Sequence, residues 1–218
     1  PNLTDAVIYP ERDGQPMADN TQQFRWIVTI KENLEILFAA DPNVFVAGDL
    51  LWYPVAGNNR LCQAPDVMVV CGRPKGDRGS YRQWQEDQTA PQVVFEILSP
   101  SNTVNEMTRK LLFYQQYGVE EYYQYDPEQN ELLGSQRQDN AFTPILDWSN
   151  WVSPRLGIRF ELTNEALNIY APSGDRFLTP VELAQARDRA EARAEAEYQR
   201  AEILAAKLRE LGVDPDTL

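Results

Sequence analysis

Four short apolar runs constrain the fold of this chain: "VFVAG" at 44–48, "LLWYP" at 50–54, "DVMVV" at 66–70 and "QVVFEIL" at 92–98. Each is rich in β-branched or aromatic residues, and Pro, Gly or Asn stand at their boundaries, so each predicts a strand. The runs are nearly continuous rather than alternating, which predicts strands covered on both faces. The cover is at hand. Phe24, Ile27, Ile30, Leu34, Leu37 and Phe38 recur at helical spacing after a capping Asn20 or Thr21, and Asp41-Pro42 ends the run. A second helix is expected from Thr103 to Tyr117, with Thr103 and Glu106 as a capping box and Gly118 as the stop. Further on, "EYYQYD" (121–126), a "PEQN" turn and "ELLGSQ" read as a hairpin, and strand-like pieces lie near 156–162 and 166–170. The expected body is α/β, a mixed central sheet flanked by helices.

One residue breaks the apolar pattern. Glu96 sits between Phe95 and Ile97 in the run most strongly predicted to be buried. An unpaired carboxylate there costs several kcal/mol even after relaxation, of the order known for buried ions, so something must compensate it. Asp66 heads another apolar run. If the two strands pair, both acids meet at one edge, and their repulsion makes a divalent cation the natural partner. Lys110 lies on the next helix, with Glu106 and Tyr114 at i−4 and i+4 on the same face. A helix that packs back over the strand end brings Lys110 to the acids. Two carboxylates, a lysine and a metal suit phosphoryl chemistry: the metal polarises an oxygen and activates water, and the lysine orients or deprotonates that water and offsets developing charge.

Composition narrows the chemistry further. The chain has no histidine, which excludes Ser-His-Asp and Cys-His machinery and His-ligated zinc or haem built from it alone. Cys62 and Cys71 belong to no CxxC pair and read as reduced, partly buried thiols. No apolar run is long enough to cross a bilayer and no secretory signal opens the chain, so a cytoplasmic protein is expected. The net charge of −13 argues against broad, nonspecific attraction to nucleic acid unless a local basic groove or bound cations override it.

Two segments flank this core. Residues 1–18, with Pro10, Gly14 and Pro16, read as an extended arm, and 72–90 as a long mobile loop that carries Arg73, Lys75, Arg78 and Arg82. From Pro180 the composition turns to Ala, Glu, Arg and Leu, without Gly or further Pro until "LGVDPDTL". Pro180 suits a helix N1 position, and Ala190, Ala194, Glu197, Ala201, Leu204, Leu208 and Leu211 form a heptad seam. Two domains are therefore expected: 1–179, and a C-terminal helix at 180–218 able to form a coiled coil.

The ordered motifs "PDVMVV", "VVFEILSPSN", E-x-x-x-K-x-x-x-Y and "YGVEEYYQYDP" resemble the Uma2 family (DUF820) over about residues 20–178, and the Ala/Glu/Arg-rich tail looks like that of cyanobacterial members. The resemblance implies the restriction-endonuclease-like fold of the PD-(D/E)xK nuclease superfamily. It implies Asp66 and Glu96 as ligands of Mg²⁺ or Mn²⁺, and Lys110 as the catalytic lysine. The superfamily's plain form carries its lysine two residues after the acid, but position 98 is Leu. The family pattern takes it from the next helix, where Lys110 matches. Glu106 stands where many members carry Asp. The expected helix at 20–40 offers Glu32 and Glu35, and the resemblance implies a first-helix acid in some superfamily members.

The expected function is a Mg²⁺- or Mn²⁺-dependent endonuclease that hydrolyses DNA, with Arg73, Lys75, Arg78 and Arg82 on phosphates and a homodimer suited to duplex cleavage. The alternative is a catalytically silent module that assembles through its C-terminal helix, which the acidic charge favours. Taken singly, Asp66 reads as a turn residue after Pro65, Glu96 as a solvated edge residue and Lys110 as an i,i+4 partner of Glu106. Asp49 reads as a strand-end or turn residue, Ser99 and Ser101 as helix caps, Tyr114 as core-facing or in support of the site, and Glu120-Glu121 as solvated.

Overall fold

The computed structural model describes residues 7–12, 14 and 17–211. Pro16 of the extended arm and the 212–218 stop lie outside them. In chain order the elements are α1 (Thr21–Leu37), β1 (Val44–Gly48), β2 (Trp52–Tyr53), β3 (Val67–Cys71), β4 (Tyr81–Arg82), β5 (Val93–Ile97), α2 (Val104–Tyr117), β6 (Glu121–Asp126), β7 (Glu131–Gln138), β8 (Ala141–Pro144), β9 (Arg159–Leu162), β10 (Leu167–Tyr170) and α3 (Pro180–Glu210). They form two compact units, one up to Phe177 and one from Leu178 on.

In the first unit, six strands form a mixed sheet in the order β1-β3-β5-β6-β7-β8. All neighbours are antiparallel except β5 and β6, which run parallel with α2 as their crossover. Strand parity sorts the side chains between two cores. Val67, Val69, Val93, Phe95 and Ile97 share a core with Ile27, Ile30 and Leu34 of α1 and with Phe160 and Ile169 of the separate β9–β10 hairpin. Met68, Val70 and Val94 face Phe113 and Tyr114 of α2, together with Trp52 and Tyr81. Both faces of β3 and β5 are covered, which is why their sequences are apolar without alternation.

The helix ends follow local chemistry. Asn20 caps α1 by accepting from Gln23 N at 2.8 Å. Thr103 caps α2 by accepting from Glu106 N at 3.2 Å, but the Glu106 side chain accepts from Asn102 Nδ2 instead of closing a capping box. Gly118 ends α2 at φ +101°, where a side chain is strained.

Three readings need correction. Residues 72–90 are not a bare loop: β4 pairs with β2, and a 3₁₀ turn follows at Gln83–Gln85. Strand β8, whose short sequence AFTP has no apolar run to announce it, forms the sheet edge beside β7. Glu121 is not solvated. It is 1 % exposed and accepts from Tyr123 Oη (2.8 Å), Ser153 Oγ (2.5 Å) and Arg155 N (2.7 Å), which ties the 153–155 segment to β6. Its neighbour Glu120 is half-buried and binds Arg155.

In the second unit, α3 starts with a full capping box of Thr179 and Glu182 around Pro180. None of its described side chains is buried, the apolar Ile203 and Leu204 included. Among the described residues no helix is long and apolar enough to cross a membrane.

Candidate active site

The register of β3 on β5 pairs Val67 with Phe95. One step further, Asp66 stands opposite Glu96. Directly opposed residues of an antiparallel pair point to the same face, and parity makes that the face α2 covers. Ile97 N donates to Asp66 Oδ2 at 2.6 Å, which locks the two strand ends together. Pro65 and the strand end hold Asp66 at the rim of the sheet, 9 % exposed, while Glu96 lies deeper at 2 %.

Helix α2 compensates Glu96 from one side. Lys110 Nζ donates to Glu96 Oε2 at 2.8 Å, and Tyr114 Oη, one turn later, donates to Oε1 at 2.5 Å. Both carboxylate oxygens are thus held from a single helix face.

The charges interact strongly. Burial first, then the charge of Glu96, pushes the Asp66 carboxyl well above its usual range, against the opposing pull of the Ile97 N–H and Lys110. Burial by itself would lower the Lys110 ammonium, but Glu96, Asp66 and Glu106 outweigh it and raise the group above its ordinary value. Lys110 therefore stays protonated in the metal-free site. Burial and Glu96 also raise Tyr114 far up, so its hydroxyl remains a donor.

Asp66 and Lys110 open onto a cleft of about 460 Å³ that Asp49, Glu106 and Arg109 also line. Its far wall comes from the "SPSN" turn and the end of the arm. Ser99 Oγ donates to Asp19 Oδ2 at 2.6 Å and Ser101 Oγ to the same oxygen, and these hydroxyls hold the Asp19 carboxyl below its ordinary value. Ser99 and Ser101 thus grip the arm, and Thr103 caps the helix in their place. Gln23 links the pieces: it accepts from Asp19 N and donates to Ile97 O, each at 2.8 Å. Asp19 and Gln23 escape sequence reasoning because neither has a motif, and both reach the cleft only through the docking of the arm and of α1. Asp49 adopts φ +48° at the end of β1, and its N–H donates to Pro65 O at 3.1 Å.

Other candidate residues lie elsewhere. Glu32 and Glu35 pair with Lys31 at 3.1 and 3.2 Å, and Glu35 lines a separate groove beside β1. Arg73 binds Glu86 at 2.9 Å and also Asp87. Arg78 binds Glu86 at 2.7 Å and stacks over Phe45 at 4.0 Å. Lys75 Nζ donates to Phe38 O at 2.7 Å, and Arg82 lies over the Tyr9 ring at 5.3 Å. None of these four lines the Asp66–Lys110 cleft, whose second cation is Arg109.

Among the described residues, no group of three or more Asp, Glu or Cys side chains could hold a metal ion on its own. The site offers two hard carboxylates, Asp66 and Glu96, the first raised by burial and then by the charge of the second. That set fits a small divalent cation such as Mg²⁺, which takes one or two protein carboxylates and keeps several waters.

A family model, "Uma2: Putative restriction endonuclease", matches residues 12–169 of the chain. No curated protein matches it. A crystal structure described as "a putative nuclease belonging to DUF820", from Anabaena variabilis, is similar with 14 % identity and a TM-score of 0.45, over 65 % of this chain and 78 % of that one.

Proposed function

From the premise that this chain belongs to the Uma2 family, whose description is "Putative restriction endonuclease", we propose that it is a metal-dependent endonuclease acting on DNA phosphodiester bonds. The observation that carries this reading is the Lys110–Glu96 contact at 2.8 Å, set beside a cross-strand Asp66 that Glu96 perturbs. A structural ion pair does not need a second buried acid beside it, because the added anion weakens the site unless a cation joins.

Asp66 and Glu96 would hold Mg²⁺ or Mn²⁺, which supplies Lewis acidity and a lowered pKa for water. Lys110, protonated and hydrogen-bonded to Glu96, stands where it can orient the attacking water and offset charge that develops on the phosphoryl oxygens. Its raised pKa favours that role over proton abstraction. Arg109, which lines the same cleft, is a further cation for a flanking phosphate. The pairing of Arg73 and Arg78 with Glu86 leaves their contribution to phosphate binding dependent on opening those bridges. A homodimer acting on both strands of a duplex in the cytoplasm is part of the proposal.

The test incubates purified protein with supercoiled and linear DNA in Mg²⁺, Mn²⁺ or EDTA, alongside Asp66→Asn, Glu96→Gln and Lys110→Met. Metal-dependent cutting by wild type that all three substitutions abolish supports the reading. Folded wild type that leaves DNA intact in both metals overturns it and favours an assembly module. Equal cutting by every variant reveals a contaminant. Light scattering on the same samples tests the dimer.

A further inference from the structure

Tyr114 has two parts with separable uses. Its ring is fully buried, lies parallel to Trp52 (centroids 6.3 Å apart, planes 3° apart) and meets Tyr122 at 5.8 Å and Phe113 at 5.8 Å. Those contacts need only a phenyl ring. The hydroxyl does something else: it reaches Glu96 Oε1, the oxygen that Lys110 does not use.

We infer that Tyr114 is a positioning residue for the carboxylate proposed to bind metal: its hydroxyl pins Glu96 Oε1 in the core and leaves Oε2, the oxygen held by the cleft-lining Lys110, as the one Glu96 would present to a cation. The inference rests on the nuclease reading and says how that site presents its ligand.

Glu96 ends in a carboxylate that turns about its own axis unless something stops it. The strand fixes where the side chain starts, not which oxygen leads. Lys110 cannot fix this alone, because an ammonium on a flexible four-carbon stem offers three donors in rotatable directions. Tyr114 can. Its ring is clamped on several sides by other aromatics, so its hydroxyl has one position, and that position lies within 2.5 Å of Oε1. The two donors hold different oxygens of the carboxylate. Lys110 lines the cleft and Tyr114 does not. Glu96 itself lies behind Lys110, so a cation in the cleft would meet Glu96 by way of Oε2, while Oε1 stays committed to the buried hydroxyl. Glu96 would then offer one oxygen, with its orientation set in advance by the Tyr114 hydroxyl. Supporting partners of this kind typically change metal affinity by about tenfold to a hundredfold when removed.

The experiment titrates Mn²⁺ into the chain (residues 1–218) without DNA and follows free Mn²⁺ in solution by the electron paramagnetic resonance signal of the aqua ion. It compares wild type, Tyr114→Phe and Trp52→Phe. Tyr114→Phe removes only the hydroxyl, whereas Trp52→Phe disturbs the same aromatic stack and leaves the hydroxyl in place. The expected result is Mn²⁺ affinity about tenfold or more weaker in Tyr114→Phe and within about twofold of wild type in Trp52→Phe. Wild-type affinity in Tyr114→Phe overturns the inference and leaves the nuclease reading standing. Equal weakening in both variants also overturns it, because ring packing would then be the cause. A Tyr114→Phe chain that does not fold counts against it, since the ring contacts would then depend on the hydroxyl. Folded wild type that binds no Mn²⁺ overturns the nuclease reading and this inference with it.

Discussion

Replacing Asp66 by asparagine should make the metal-free protein more stable at neutral pH while it abolishes the proposed activity. Asp66 is 9 % exposed, faces Glu96 across paired strands and keeps one hydrogen bond, from Ile97 N. Cross-strand partners stand about 5 Å apart, and at an effective dielectric of about 20 two like charges at that distance repel by about 3 kcal/mol. Asparagine removes the repulsion and the burial of a charge. It also loses the attraction of Lys110, and its neutral oxygen makes a hydrogen bond to Ile97 N weaker by about 1 kcal/mol. The net gain is about 1–2 kcal/mol, a rise in Tm of about 2–8 °C for a chain of this size. The direction of the pH dependence is fixed as well. The Asp66 carboxyl is raised in the folded state, so folding favours its protonated form. Its cost is absent below the ordinary carboxylate range and grows as pH rises through the window between that range and the raised value. The assay is urea unfolding of wild type and Asp66→Asn in EDTA between pH ~4 and ~8, across which the carboxylate's charge develops. The asparagine advantage should widen with pH. An advantage that is flat with pH, or an asparagine variant less stable than wild type at neutral pH, would refute the argument that two buried anions strain each other.

Three further outcomes follow from the contacts. Lys110→Met should destabilise the metal-free chain by about 2–3 kcal/mol, less than a fully enclosed pair because the lysine is 16 % exposed, and adding Glu96→Gln should cost less than the sum of the single effects in a double-mutant cycle read by urea unfolding. Gly118→Ala should lower stability by about 1–2 kcal/mol, since φ is +101° there and the new Cβ meets the Ala90 methyl at 3.2 Å; thermal melting checks it. Glu86→Ala should release Arg73 and Arg78 and speed proteolysis within 72–90 while it leaves the global Tm within about 2 °C, as expected of a partly exposed surface ion-pair network.

The α/β class, the body helices and their N-caps, and the acids and lysine of the candidate site could be read along the chain, because each has a local cause. Buried strands are apolar without alternation, a cap needs an oxygen at one position, and a charge in an apolar run must be compensated. Glu96 is the clearest case, and its fate required a partner that the sequence could propose but not position. The structure decided the rest through pairing and packing. Register put Asp66 opposite Glu96, parity turned both toward α2, and the crossover of α2 over the sheet set Lys110 and Tyr114 on separate oxygens of one carboxylate. Asp19, Gln23 and the buried Glu121 had no sequence signal, because what they do depends on residues 80, 74 and 32 positions away. The basic residues of 72–90 look free in the sequence, yet Glu86 and Asp87 fold back onto Arg73 and Arg78. Periodicity and capping act within a few residues, so they survive in one dimension. Which side chains meet across a sheet is set by long-range register, and that exists only once the chain has folded.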